Sequence, residues 1–459
     1  MKPDLSTETT GKTSRRLTWS TRFGFILAAT GSAIGLGNIW KFPYITGVYG
    51  GGAFVLVYIG CVIVVGLPLM ISELIIGRRG RQNPVGAFQV LSREGSPWQI
   101  PGWIGVAAGF VILSFYSVIA GHALAYIFKS LPGFVGTADQ IREQYSSLKN
   151  SAGSSIAWHT MFMVLTIAIV AGGVRRGIER WARILMPTLF FLLLFLMIYG
   201  LAFTEGGAAA INFLFNPGFS ALSAEGVLSA LGHAFFTLSL GMGAMITYGS
   251  YMKKEVNIVR DAVTISFLDT FIALMAGLAI FSMVFAYGLE PGAGPGLLFE
   301  TLPVLFAETG PWVAVSFFVL LTFAALTSAI SLLEVVVSYF IDKRGWSRMN
   351  AAIIMGAVIY FLGLLSAIES IKVPFRGSPT GFFDIFDFVS TNYMLPLGGL
   401  LTGLFAAYVV KDRIRSEEFG SSGGLYRAFV VVLKFITPLA VLIVLLHGLE
   451  LLPFMDYGN

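Results

Sequence analysis

The chain alternates between long apolar runs and short polar connections along almost its whole length. Runs long enough to cross a hydrocarbon core lie at about 23–43, 52–77, 101–130, 156–173, 182–203, 227–251, 261–289, 311–341, 350–368, 384–410 and 427–452. A helix needs roughly 20 apolar residues to span a bilayer core, so each run predicts a transmembrane helix. The pattern therefore predicts an all-α integral membrane protein of about 11 spans. Two of the runs, from Gly24 and from Val227, are less uniformly apolar than the rest. Two connections predict surface helices: the amphipathic stretch 137–150, and 297–309 after the PGAGPG run, readable as an external lid or as a plain surface helix.

The connections alternate in charge. One set carries Lys2, Lys12, Arg15 and Arg16; then Arg78, Arg79, Arg81 and Arg93; then Arg175, Arg176 and Arg180. It continues with Lys253 and Lys254, with Lys343, Arg344 and Arg348, and with Lys411, Arg413 and Arg415. The intervening set holds Glu143, Glu205, Glu290, Glu300, Glu308 and Glu369, with few bases such as Lys129 and Arg142. Basic loops stay cytoplasmic, which predicts a cytoplasmic N-terminus. An odd number of spans then sends the C-terminus outside, with Glu450 and Asp456. The segment before Thr18 is polar, and no cleavable signal is expected.

Composition agrees with that reading. Hydrophobic residues make up 56% and charged residues 12%, against roughly 25% charged in soluble proteins. So little polar surface cannot cover a water-soluble exterior. The 53 glycines fit close helix packing in lipid. The single cysteine, Cys61, excludes an intrachain disulfide. No H-E-x-x-H motif occurs and the few histidines are scattered, so an enzyme is not expected. The bases track one membrane face rather than a nucleic-acid footprint, so no nucleic-acid partner is expected.

Two spans carry glycine clusters in corresponding positions of two five-helix halves. The first holds Gly31, Gly35 and Gly37 beside Asn38; the sixth holds Gly241 and Gly243 beside Thr237 and Ser239. Glycine inside a helix costs about 1 kcal/mol relative to alanine. Unwound backbone at bilayer depth is tolerable only where it lines a cavity or binds something. Half-helix N-termini then suit an anionic group, and freed carbonyls a cation. Gly31 and Gly35 also read as a G-x-x-x-G packing face; the neighbouring side-chain oxygens favour a site.

The segments WSTRFGFILAATGSAIGLGNIWKFPY (19–44), GGGAF (50–54), GLPLMISE (66–73), SFYSV (114–118), FFTLSLGMG (235–243) and ALTSAISLLE (325–334) closely resemble the neurotransmitter:sodium symporter family. The resemblance runs over nearly the whole chain and implies the leucine-transporter fold, a 5+5 inverted repeat with broken helices 1 and 6. It is nearest to bacterial eleven-span members that transport hydrophobic amino acids. It implies a first repeat over 19–203, an external loop over 204–226 and a second repeat over 227–410. A cytoplasmic loop over 411–426 and an eleventh span with short tail over 427–459 follow, after the cytoplasmic segment 1–18. It also implies a bacterial inner membrane as the location, leaving the oligomeric state open.

The family's site carries across residue by residue. The resemblance implies a first sodium ion held by Ala33, Asn38, Thr237 and Asp269 together with the solute carboxylate. It implies a second held by the Gly31, Ile34 and Ala324 carbonyls and the Thr327 and Ser328 hydroxyls. Oxygen ligands suit a hard cation. Asp269 stands where asparagine is usual, and Ala273 where chloride-dependent members have serine, so no chloride is expected; pairing of Asp269 with a nearby base is the other reading.

Gly35, where monoamine carriers have aspartate, points to an amino acid. Leu36, Gly37 and Tyr116 would hold its carboxylate, and Phe236, Thr237 and Ser239 its amine. Ser32, Ile112, Phe236, Met242, Ser331 and Leu332 would line the side chain, although such residues are also ordinary core. Phe236 and Tyr116 would cap the solute. Lys41 and Asp387 match an outer gate, Arg16 and Asp342 an inner one with Trp19 packed beneath. Gly177 and Pro187 mark a weak place in span five. Glu73 is expected to hydrogen-bond unwound backbone near the first break, and His122 and His233 to be satisfied core residues. The resulting expectation is a sodium-coupled amino-acid importer; a channel and an amino-acid-sensing receptor are the rivals.

Overall fold

The computed structural model describes residues 17–288 and 295–452. Glu290, Asp456, Lys2, Lys12, Arg15 and Arg16 therefore lie outside the described residues. Among those described, nine single helices are long and apolar enough to cross a membrane. They are Gly52–Gly80, Pro97–Ser130, Ala152–Ala171, Val174–Phe203, Ile258–Ala286, Pro311–Arg344, Arg348–Ala367, Phe382–Val409 and Gly424–Gly448. A tenth forms from Arg22–Ala33 and Gly37–Val48, bent by 53° at the break between them. The expected sixth span consists of two short helices, Ala224–Thr237 and Ala244–Ser250, each too short to qualify alone. The count thus reaches eleven crossing elements only when both broken helices are taken as spans.

Local chemistry explains where these helices begin and end. Pro311 opens the eighth span at a position where its missing N–H costs nothing, and Gly345 closes it in the left-handed conformation (φ 67°). Lys343 and Arg344 occupy its last turn, where positive charge complements the helix dipole. In an apolar 18-residue stretch of each, the third (Pro97–Ser130) and eighth spans are 78% buried, whereas that of Gly424–Gly448 is 28% buried. That difference makes the former pair the interior scaffold and places the last span at the lipid edge.

The loops depart modestly from expectation. The predicted surface helix is Ala138–Asn150, closed by a capping box between Thr137 and Gln140. A further helix covers Thr301–Thr309. The connection 204–226 contains a helix at Gly207–Phe215, and the connection 411–426 one at Asp412–Phe419. A small antiparallel hairpin, Lys372–Phe375 with Ser378–Gly381, interrupts the otherwise helical chain. Its turn needs positive φ at Arg376 (49°) and Gly377 (84°), a local signal in an Arg-Gly pair too weak to read in advance. Span five runs through Pro187 without interruption, and Gly177 sits in a widened turn over Val174–Glu179.

Long-range contacts gather the basic loops at one end of the bundle. Arg175 Nε donates to Thr18 O (2.8 Å), Lys253 Nζ to Ser20 O (3.3 Å) and Arg81 Nη1 to Met252 O (2.8 Å). Arg78 pairs with Glu418 (2.5 Å), and Lys343 Nζ reaches Gln89 Oε1 (2.5 Å). Glu334, fully buried, takes a bidentate pair from Arg348 (2.7 and 2.9 Å) and a hydrogen bond from Tyr251 OH (2.6 Å). The opposite end carries Lys149 with Glu369 and Arg376 with Glu450.

Candidate functional site

The first half of span one starts at Thr21, whose hydroxyl accepts from Gly24 N (3.0 Å). It stops at Ala33 because Ile34 adopts an extended conformation (φ −74°, ψ 108°). Asn38 Oδ1 accepts from Gly35 N (3.1 Å), so a side chain supplies the acceptor that the interrupted helix lacks. In the sixth span the chain alternates into left-handed backbone at Ser239 (φ 53°), Gly241 (φ 78°) and Gly243 (φ 75°). Glu73 Oε1 accepts from Gly241 N at 2.7 Å. This acid therefore serves the second break rather than the first, because its helix packs against the sixth span's outgoing half.

Between the breaks sits Asp269, fully buried on Ile258–Ala286. Its carboxylate accepts from Asn38 Nδ2 (2.8 Å), from Thr237 Oγ1 (3.1 Å to each oxygen) and from Tyr58 OH (3.4 Å). All three donors are neutral. Among the described residues no lysine, arginine or histidine lies within 4.0 Å of it, so it has no ion-pair partner. Tyr58 escaped the sequence reading, since nothing marks it within its apolar run; it faces Asp269 only through tertiary packing.

The second group of oxygens also converges. Ser328 Oγ lies 3.5 Å from Gly31 O, 3.2 Å from Ser32 O and 3.3 Å from Ile34 O. Thr327 Oγ1 donates to Ala324 O at 3.0 Å. Gly31 permits this approach: a Cβ there would stand 2.9 Å from Met186 Sδ and 3.1 Å from Thr327 Cβ.

A cavity of about 30 Å³ lies between the two groups. Ser32, Ala33, Leu36 and Gly37 line it from span one, and Ile112 and Tyr116 from span three. Phe236, Thr237, Ser239 and Met242 line it from span six, with Ser331 and Leu332 from span eight. All the residues assigned to the solute thus share one cavity. Three serines draw its walls together: Ser32 Oγ donates to Ser331 Oγ (2.8 Å), and Ser239 Oγ to Ser32 O (2.7 Å). Tyr116 OH accepts from Leu36 N at 3.3 Å.

Beyond Tyr116 and Phe236, which border both spaces, lies a larger cavity of about 200 Å³. Lys41 and Asp387 face it, but they form no ion pair within 4.0 Å. Lys41 Nζ instead sits over the Phe236 ring, 5.0 Å from its centroid, and Asp387 Oδ1 accepts from Thr391 Oγ1 (3.2 Å). A compact ammonium lacks the arginine fork that would bridge the gap, and the ring face offers it a favourable partner. At the end of the bundle that carries the basic loops, Trp19 is buried, with N donating to Tyr251 O (3.1 Å) and Nε1 to Tyr248 O (3.0 Å). Asp342 Oδ2 accepts from Asn83 N (2.6 Å); its expected partner Arg16 lies outside the described residues.

The histidines are only partly satisfied. His122 Nε2 meets Ser155 Oγ at 3.0 Å, whereas both ring nitrogens of buried His233 lack partners. His233 packs instead against the rings of Phe42 (5.9 Å, stacked) and Tyr58 (5.4 Å, tilted), which also touch each other, so ring contacts rather than hydrogen bonds hold it.

Two broken spans meeting at a buried carboxylate and converging backbone oxygens, inside a bundle of membrane helices, define a secondary transporter. The chain belongs to the sodium:neurotransmitter symporter family, whose profile matches residues 16–136 and 134–459. It is 40% identical over 447 residues to an uncharacterized sodium-dependent transporter of Bacillus subtilis, covering 95% of this chain and 98% of that one. An uncharacterized sodium-dependent transporter of Haemophilus influenzae is 33% identical over 459 residues, covering 96% and 100%. Among solved structures, MhsT in complex with L-phenylalanine superposes with a TM-score of 0.87 at 44% identity, over 94% of this chain and all of that one. The protein is thus a sodium-dependent membrane transporter and not an enzyme.

Proposed function

We propose that the protein imports an amino acid, hydrophobic or aromatic and of the L series, on a sodium gradient and without chloride. The observation that carries this reading is Asp269: a fully buried carboxylate whose partners are neutral. Burying an unpaired charge costs several kcal/mol, and a monovalent cation beside it offsets that cost. Asn38, Thr237 and the Ala33 carbonyl complete an oxygen set for this first ion. Gly31, Ile34, Ala324, Thr327 and Ser328 supply a second set. With Ala273 unable to bind an anion, Asp269 supplies in the protein the charge that chloride supplies elsewhere in the family.

The solute carboxylate completes the first ion's shell, so ion and solute favour each other's binding by the same coupling free energy. Gly35 leaves no acid for a carboxylate-free amine, and its absent side chain keeps Ser328 Oγ clear (a Cβ would lie 2.6 Å away). MhsT, the structural neighbour, was crystallised with L-phenylalanine, which supports an aromatic solute. Binding has to part the three serines, and the adaptable Met242 side chain accommodates the enlarged cavity. The outer space then closes as Phe236 and Tyr116 cover the solute, and the inner path opens as Trp19 leaves Tyr248 and Tyr251. With the basic loops at the cytoplasmic end, the N-terminus lies inside and the C-terminus outside a bacterial inner membrane.

Uptake into proteoliposomes tests the reading. A sodium gradient should drive accumulation of one of the twenty standard amino acids, equally in chloride and gluconate. Uptake indifferent to sodium would sink the coupling, and a strict chloride requirement would sink the role of Asp269. Sodium-dependent binding without counterflow would favour a sensor.

Two milder variants refine the picture. Tyr58→Phe removes one of three donors to Asp269, so the sodium requirement should shift by about 3- to 10-fold, the value of one such hydrogen bond. Ser331→Leu fills the small cavity, and selectivity for a large over a small solute should fall by about tenfold, as expected for added methylenes. Competition assays read both.

A further inference from the structure

A second chamber of about 170 Å³ lies beside the outer cavity and shares with it the wall of Trp40, Ile119 and Phe383. It has no residue in common with the central site. Surface helix Ala138–Asn150, spans three and four, the segment at Glu300 and the start of Phe382–Val409 enclose it.

Its charge is lopsided. Among its lining residues Glu300, Glu369 and Asp384 outnumber Lys149, an excess of two negative charges, while Lys372 and Asp387 act on Asp384 from beyond the wall. Lys149 is engaged by Glu369 at 3.1 Å. Glu300 and Asp384 form no ion pair among the described residues. Tyr145 reports the same grouping: burial and the charges of Glu300, Glu369 and Asp384 all push its hydroxyl upward from the ordinary tyrosine range.

Neutral polar atoms in the walls are unsatisfied as well. His122 is 4% exposed and leaves Nδ1 without a partner after meeting Ser155. Ser366, 8% exposed, has no partner for its hydroxyl. Buried polar atoms are ordinarily paired, so two orphans lining one acidic chamber mark a place prepared for an occupant. The described residues contain no cluster of three metal-ligating side chains, which disfavours a bare metal ion. The volume and the rings of Trp40, Tyr145 and Phe383 suit a larger cation, because aromatic faces attract ammonium groups.

We propose that this chamber binds a small organic ammonium ion, held by the carboxylates of Glu300 and Asp384 against the Tyr145 and Trp40 rings.

Calorimetric titration of the purified full-length protein with tetramethylammonium gluconate, at ionic strength held with potassium gluconate, tests it. Saturable binding is expected, weakened about tenfold by Glu300→Gln and by Asp384→Asn, the loss of one charged contact. Both variants are first checked for a monodisperse elution profile; they sit on separate elements, so either one alone decides if the other misfolds. Absence of saturable binding, unchanged affinity in either folded variant, or displacement by sodium at equal ionic strength would overturn the proposal.

Discussion

Replacing Asp269 by asparagine is expected to raise the sodium concentration for half-maximal uptake by about 10- to 100-fold, the worth of a charged hydrogen-bonding partner. The substitution keeps the side chain's shape and leaves Asn38, Thr237 and Tyr58 something to bond. What disappears is the charge. A unit charge about 4 Å from a cation gains about 4 kcal/mol at an effective dielectric of about 20, part of which desolvation cancels. Chloride should not rescue the variant, since Ala273 offers no hydroxyl to hold an anion there. Uptake measured against sodium concentration, in chloride and in gluconate, checks both statements. A half-saturation unchanged within twofold would show that Asp269 does not face a transported cation.

Gly241→Ala should lower sodium-driven uptake by at least about 100-fold and markedly reduce thermal stability. Two costs add at this residue. Its φ of 78° is left-handed, which penalises a side chain by about 1–2 kcal/mol. A Cβ would also stand 2.4 Å from Leu395 O and 2.9 Å from Gly399 N, both backbone atoms that cannot rotate aside. Such overpacking costs about 1–3 kcal/mol. The sixth span's break rests directly on the tenth span here, and the same backbone N–H is the one Glu73 accepts from. Gly60→Ala is the control, because nothing lies within 4 Å of its Cβ position. Thermal unfolding and uptake of the two variants side by side provide the measurement; equal behaviour would remove the close approach from the account.

Much of the lining of the central cavity was legible in the sequence. Gly31, Gly35, Asn38, Thr237 and Ser239 announce themselves as helix-weakening or oxygen-bearing residues in two apolar runs. The resemblance then added Thr327, Ser328 and the solute-lining residues; the structure brings Ser328 and the solute-lining residues around one cavity, with Thr327 beside Ser328 behind it. Other features were not legible. Tyr58 looks like any aromatic in a membrane helix, and Glu73 is as close in sequence to one break as its packing makes it useful to the other. Lys41 and Asp387 sit in the right places for a gate, yet the Phe236 ring takes the ammonium instead. His233, expected to be satisfied, is held by rings.

The sequence by itself determined the membrane class, the approximate spans, the alternating loop charge and the positions of both breaks. Those properties follow from composition and from local backbone preference, which act over one helix at a time. The tertiary structure alone decided that Asp269 has neutral partners, that Glu73 caps the second break, and that three serines close the cavity. It alone assembled Glu300, Asp384, His122 and Ser366 into one chamber. These outcomes depend on distances between side chains scores to hundreds of residues apart in sequence. Such distances are set by how whole helices pack, and periodicity within any one helix carries no record of them.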